Sequence, residues 1–128
     1  MSKVSDSPAS PEARFQAALA EGRFEVQWCT ACARAFFFPR THCPHCHGAD
    51  HEWRTSTGVG TLYSHSEIPA TSKTPGRNVI LVDMDDGFRM MSTLLDAGSA
   101  DLQIGLRVRA SVERLTDQAR VVFRRMAT

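Results

Sequence analysis

Four cysteines, Cys29, Cys32, Cys43 and Cys46, fall within 18 residues of a 128-residue chain, and the other 110 positions hold none. Their pattern is C-x2-C, ten residues, C-x2-C. A disulfide scaffold scatters its cysteines along a secreted chain, and a thioredoxin-like redox site needs one C-x-x-C beside a βαβ unit. Paired knuckles each turn two thiolates toward one point, which supplies a closed tetrahedral zinc site with Zn–S distances of about 2.3 Å. The reading is one structural Zn2+ on these four residues. A rubredoxin-type iron centre uses the same ligands and spacing separates the metals poorly, although no redox-partner motif accompanies the cysteines here. His42, His45 and His47 crowd the second knuckle and read as solvated neighbours, because four thiolates are already in register. Gly48 offers a positive-φ residue to close the second turn, whereas Ala33-Arg34 lacks a glycine and predicts a differently built first turn.

The rest of the composition is ordinary for one compact unit or two very small ones: 42% apolar, 23% charged, formal net charge +1. Six basic and six acidic side chains in residues 1–56, and nine and eight in 57–128, leave neither part strongly basic, which argues against a general polyanion binder. The longest apolar runs, four residues each as in Ala35–Phe38 and Val79–Val82, fall far short of the roughly 20 residues that cross a bilayer. The opening MSKVSDSPAS lacks the apolar stretch of a secretory signal. The expectation is a cytoplasmic protein without a membrane segment.

Along the chain, residues 1–10 read as a flexible tail, 11–22 as a helix, 23–55 as the zinc ribbon and 56–128 as a small barrel. Ser10-Pro11-Glu12 predicts a capped helix start and Gly22 its stop. The stripe of Phe15, Ala18 and Leu19 needs a surface to cover, either this chain's own or a partner's. Glu25 to Trp28 alternates as a strand entering the first knuckle. Phe36, Phe37 and Phe38 cannot all point inward, so Phe37, or Phe36 with Phe38, is either exposed or buried against the next segment. From Thr57 the chain predicts five strands. These are a long first strand bent at its glycines (58–68), then 78–84, a two-residue Asp86-Gly87 turn, 88–95, 106–115, a turn at Asp117-Gln118, and 119–126. The fold class is mainly β, ending in a five-stranded OB-fold barrel.

Asp83, Asp85 and Asp86 lack calcium-loop spacing and read as solvated acids on a hairpin tip. His65 has no nucleophile motif beside it, and the cysteines are committed to metal, so a catalytic triad or dyad is unsupported. Zinc ribbons and OB-folds also bind nucleic acids. The barrel segment, however, offers only Tyr63, Phe88 and Phe123 as aromatic platforms and the net charge is only +1, so no nucleic acid is expected as a partner.

Phe15, Gly22, Gln27-Trp28-Cys29-Thr30-Ala31-Cys32, Pro39-Arg40, Cys43-Pro44-His45-Cys46, Trp53, Gly58-Val59-Gly60-Thr61 and Gly105-Leu106-Arg107-Val108 together resemble the DUF35 proteins. That resemblance implies an N-terminal helix, a rubredoxin-like zinc ribbon and a C-terminal OB-fold. It further implies a subunit without chemistry of its own, which assists a thiolase-like enzyme (a thiolase, an acyltransferase or a steroid side-chain aldolase) in acyl-CoA binding or acyl transfer. On that reading Phe36, Phe37 and Phe38 with Phe15 and Leu19 are the expected partner interface. Lys73 and Arg77, on the loop between the first two barrel strands, are the expected contacts to CoA phosphates.

Overall fold

The computed structural model describes residues 10–116 and 118–126. Residues 1–9 of the expected tail, and Asp117 of the expected last turn, lie outside the described residues.

Helix α1 spans Pro11–Ala20. Ser10 caps it, its Oγ accepting the Ala13 N–H at 3.1 Å, and Pro11 occupies the position where a missing N–H costs nothing. At the other end the Arg23 N–H donates to Ala18 C=O and the Gly22 N–H to Leu19 C=O, a Schellman stop that needs the positive φ of Gly22, +86°. Strands β1 (Glu25–Cys29), β2 (Arg34–Phe36) and β3 (His51–Thr55) form an antiparallel sheet in the order β2-β1-β3.

Strands β4 (Val59–Ile68), β5 (Arg77–Met84), β6 (Arg89–Ser92), β7 (Arg107–Arg114) and β8 (Ala119–Arg125) form a second antiparallel sheet in the order β6-β5-β4-β7-β8. Strand β4 bends at a bulge that leaves Tyr63 without a partner between Leu62 and Ser64. Gly60 lets β5 lie against it, since a Cβ there would fall 2.6 Å from Val82 Cγ1 and 2.7 Å from Asp83 O.

Three expectations are corrected here. The β5–β6 hairpin closes around three residues, Asp85 to Gly87, with Phe88 leading into β6. Phe88 C=O accepts the Met84 N–H across it, and Gly87 takes φ +108°, so a type I turn with a glycine bulge replaces the two-residue turn. Strand β6 ends at Ser92, short of Leu95, because the Asn78 amide takes over the pairing. Its Oδ1 accepts the Leu94 N–H at 2.8 Å and its Nδ2 donates to Leu94 C=O at 3.0 Å. The chain then crosses to β8, where Leu94 bridges Phe123 and the Leu95 N–H donates to Phe123 C=O. The five-stranded sheet is therefore a curled half-barrel whose edges meet at one place. Finally, the acids of the hairpin are engaged by side chains. Asp83 pairs with Arg89, Asp85 with Arg107, and Asp86 accepts from Ser56 and Thr57.

One apolar core runs through both sheets and the helix. Phe15 and Leu19 of α1, Phe24, Val26 and Ala35 of the ribbon, and Leu62, Ile80, Val82 and Phe123 of the half-barrel belong to a single cluster. The helix stripe thus covers this chain's own core, against β1 and β8. Phe37 joins the parts: its ring stacks on Phe88 at 5.4 Å and meets Phe15 edge-on at 5.3 Å.

Candidate metal centre

The first knuckle begins at the end of β1, and the second lies in the loop between β2 and β3. Strand β1 ends at Cys29, and its C=O accepts the N–H of Ala33 at 2.9 Å; Cys43 C=O accepts the N–H of His47 at 2.8 Å. The residue after each second cysteine takes a left-handed conformation, Ala33 at φ +58° and His47 at φ +64°. The two turns are thus built alike, and the positive-φ position is not Gly48. Sequence reading placed it one residue late in the second knuckle because glycine is the usual marker of that conformation, and here Ala and His adopt it at a cost of about 1–2 kcal/mol each.

Within each turn, backbone N–H groups aim at the first sulfur. The His45 N–H lies 3.3 Å from Cys43 Sγ, and the N–H groups of Cys32 and Ala31 donate to Cys29 Sγ. Cys29 Sγ lies 3.5 Å from Cys46 Sγ and Cys32 Sγ lies 3.7 Å from Cys43 Sγ, with all four sulfurs within 4.8 Å of one another. A regular tetrahedron with metal–sulfur bonds of about 2.3 Å has sulfur–sulfur edges of about 3.8 Å, so the four thiols fit one tetrahedral ion.

Their electrostatics suit a cation. Cys29 is drawn down to about 7, chiefly by the Cys32 N–H. Cys32 is pushed up to about 12 by burial, and then by its contacts with the other sulfurs. Cys46 also lies above the ordinary thiol value. The Gly48 N–H favours its thiolate, but Cys29 Sγ, burial and Cys43 Sγ outweigh that. Four anionic sulfurs this close repel one another strongly, and a divalent ion in their midst reverses the sign of the interaction. Such an ion would fasten the two knuckles together and needs no further ligand. His42, His45 and His47 are exposed beside the second knuckle, outside the four-sulfur cluster.

Phe36 is buried with Cys29 and Cys43, shielding the sulfurs from water on one side, while Cys46 faces solvent on the other. Sequence reasoning missed Gln27 as part of this centre, although it sits two residues before Cys29 on the same face of β1. It is 1% exposed and bonded to the backbone of Arg40. The alternation of Glu25 to Trp28 puts Gln27 with Glu25 on the polar positions, so the strand pattern itself gave no signal that it is buried.

Of the five residues expected at a partner interface, Phe15, Leu19 and Phe36 are buried within the chain and Phe37 is half-buried. Phe38 is 63% exposed. Burial of the first three follows from the shared core and the sulfur cluster, which take the apolar surface that a partner would otherwise cover. Phe38 borders an open groove of about 330 Å³ with Glu12, Phe15, Gln16, Phe37 and Pro39. Lys73 and Arg77 are both exposed but are not brought together in one cavity. Arg77, at the start of β5, lines two adjoining clefts of about 520 and 640 Å³ with Gly76, Asn78 and Ala97 as their shared wall. Lys73 sits on a turn held by Thr71 and Thr74 and lines neither cleft. Among the described residues, no helix is long and apolar enough to cross a membrane.

Two family models match the chain in succession. The ChsH2 rubredoxin-like zinc ribbon domain matches residues 16–52, and the ChsH2 C-terminal OB-fold domain matches residues 53–113. No curated protein sequence matches it. Among solved structures, a chain of the "Ltp2-ChsH2(DUF35) aldolase" superposes with a TM-score of 0.79 at 24% identity, covering 93% of this chain and 97% of that one. A DUF35 protein of unknown function from Sulfolobus solfataricus superposes with a TM-score of 0.62 at 13% identity, covering 89% of this chain and 84% of that one. Together the two ChsH2 matches span residues 16–113, ribbon first and OB-fold second, and the chain belongs to this DUF35 family.

Proposed function

We propose that this chain is a non-catalytic, zinc-stapled subunit that associates with a thiolase-like enzyme, an aldolase, thiolase or acyltransferase, and assists acyl-CoA binding or acyl transfer there. The observation that carries the reading is its likeness, over nearly the full length of both chains, to a chain of the Ltp2-ChsH2(DUF35) aldolase. The metal centre is consistent with this role, because a closed four-thiolate site has no open position for a substrate. Phe38 is the anchor of the enzyme interface: an exposed aromatic ring beside a groove is a surface that association would desolvate. Arg77 supplies a fork for CoA phosphate oxygens at the mouth of its clefts, and Lys73 a second, mobile charge on the loop that leads into β5.

The test is reconstitution with thiolase-like enzymes, an aldolase of the Ltp2 type first. Co-elution as a stable complex, with acyl-CoA turnover that the chain alone lacks, is the expected result. Turnover by the isolated chain at the rate of the complex would overturn the reading. Within the complex, Phe38→Ala should weaken association. The Lys73→Ala, Arg77→Ala double variant should lower acyl-CoA affinity at low ionic strength, where exposed charges are least screened.

A further inference from the structure

Among the described residues, Gln27 is the only polar or charged residue that is buried. Its amide is held at both ends by one residue, Arg40. Oε1 accepts the Arg40 N–H at 2.8 Å and Nε2 donates to the Arg40 C=O at 2.6 Å. This pair of hydrogen bonds, one from a backbone N–H and one to a backbone C=O, fixes which end of the amide is oxygen. The remaining N–H of Nε2 points to His51 Nε2, 3.1 Å away, so that ring nitrogen must accept and the His51 hydrogen must sit on Nδ1. There Nδ1 is buried without a partner. The imidazole thus forgoes a bond of its own in the arrangement that leaves the glutamine amide fully used.

The three residues lie at three entrances to the metal centre. Gln27 is two residues before Cys29 on β1, Arg40 is three before Cys43, and His51 pairs directly with Cys29 across β1 and β3. Between Gln27 and Arg40 the chain makes the first knuckle, β2 and the phenylalanine run, with no other side chain bonded to the Arg40 backbone among the described residues. We infer that Gln27 is the positioning residue of the metal centre: by clamping the Arg40 backbone it sets the distance between the two knuckles, and so governs metal affinity without touching the metal. Ligand-orienting groups outside the coordination sphere of other metal sites act in this way, and their loss typically costs about 10–100-fold in affinity.

The test uses the full chain. Gln27→Met keeps side-chain volume and apolar packing but offers Arg40 neither donor nor acceptor. In competition against a chromophoric chelator its Zn2+ affinity should fall at least about 10-fold. Its Co2+ form should keep the absorption of a tetrahedral four-thiolate site, because the ligands are intact. Val108→Ala, a deletion in the apolar core that the half-barrel shares with the ribbon, serves as the control for general destabilisation and should lower Zn2+ affinity distinctly less than Gln27→Met does, because it leaves the Arg40 clamp intact. Unchanged affinity in Gln27→Met, or an equal loss in Val108→Ala, would overturn the inference. A second measurement needs no variant: in the zinc-loaded wild-type chain the Arg40 amide should exchange slowly with deuterium, and chelation should release it. Fast exchange of that amide with zinc bound would equally overturn the assignment.

Discussion

Asp86, on the β5–β6 hairpin, grips Thr57 at two points, its carboxylate accepting the Thr57 hydroxyl at 2.8 Å and the Thr57 backbone N–H at 3.1 Å. The Ser56 hydroxyl adds a third bond, at 3.0 Å. Residues 56–58 join the ribbon sheet to the half-barrel, so one carboxylate fastens the connection to the hairpin. Hydrogen bonds to a charged acceptor contribute roughly 1.5–3 kcal/mol. Asp86→Ala should therefore lower stability by about 1–3 kcal/mol, read as a fall in the thermal midpoint of the zinc-loaded chain; an unchanged midpoint would show that solvent replaces these bonds without loss.

Ala33→Gly is expected to stabilise the protein. Ala33 holds φ +58°, where a Cβ is strained and glycine is not. The gain should be up to about 1 kcal/mol, less than the full relief because glycine also gains entropy when unfolded. Denaturant titration of the zinc-loaded variant checks the sign, and a loss of stability would place some other restraint on this turn.

Acid should release the Asp85–Arg107 pair. Two hydrogen bonds, at 2.9 and 2.7 Å, and the guanidinium charge hold the Asp85 pKa below its ordinary value. A carboxyl depressed on folding contributes stability that is fully present above its unfolded pKa and is lost as pH falls through the folded one. The thermal midpoints of wild type and Asp85→Asn should thus differ at neutral pH and converge below the ordinary carboxylate range. Curves that stay parallel into strong acid would exclude this pair as a source of acid sensitivity.

Metal removal should damage more than the ribbon. One Zn2+ per chain is expected by elemental analysis, and Cys43→Ser, at a buried ligand position, should lose it. Because Phe24, Val26 and Ala35 share a core with Ile80 and Phe123, near-ultraviolet circular dichroism and thermal melting should report loosened packing in the half-barrel too. Stoichiometric disulfides in place of metal would contradict the zinc assignment.

Phe15→Ala and Phe38→Ala should behave oppositely. Phe15 is buried against Phe24 and Phe37, and truncating a core phenylalanine costs about 3–5 kcal/mol. Phe38 faces solvent, and its removal should leave the isolated chain within about 0.5 kcal/mol of wild type. Comparable losses at both positions in chemical denaturation would mean that Phe38 is packed in solution.

Much of this architecture was legible because its signals are local. The Ser10-Pro11 cap, the Gly22 stop, the paired C-x-x-C turns and all five barrel strands depend on residues near one another in the chain. Two local features escaped reading, the left-handed Ala33 and His47 and the bulged hairpin turn at Gly87, because residue type marks these conformations only loosely. The rest depends on partners far apart. The Asn78 amide ends β6 sixteen residues away, the grip of Asp86 spans about thirty, and Gln27 finds Arg40 only once the first knuckle has folded. The phenylalanine run shows the same limit. Alternation along a strand says that three consecutive rings cannot share a face, but only the positions of Phe88 and the sulfur cluster decide that Phe36 goes in and Phe38 stays out.

The seam between the two recognised modules, residues 52 and 53, falls in the middle of β3, which runs His51–Thr55. Glu52 pairs with Trp28 and Trp53 with Gln27, so dividing the gene at that seam would split one strand between two fragments. The upstream fragment would lose an edge strand from the sheet that carries its first knuckle. The downstream fragment would begin with a severed, unpaired strand and an uncovered apolar wall where Phe15 and Leu19 now lie. Exchanging one of these modules for a homologous one would therefore succeed only with crossovers placed outside β3 and with the N-terminal helix carried along with the half-barrel that it covers.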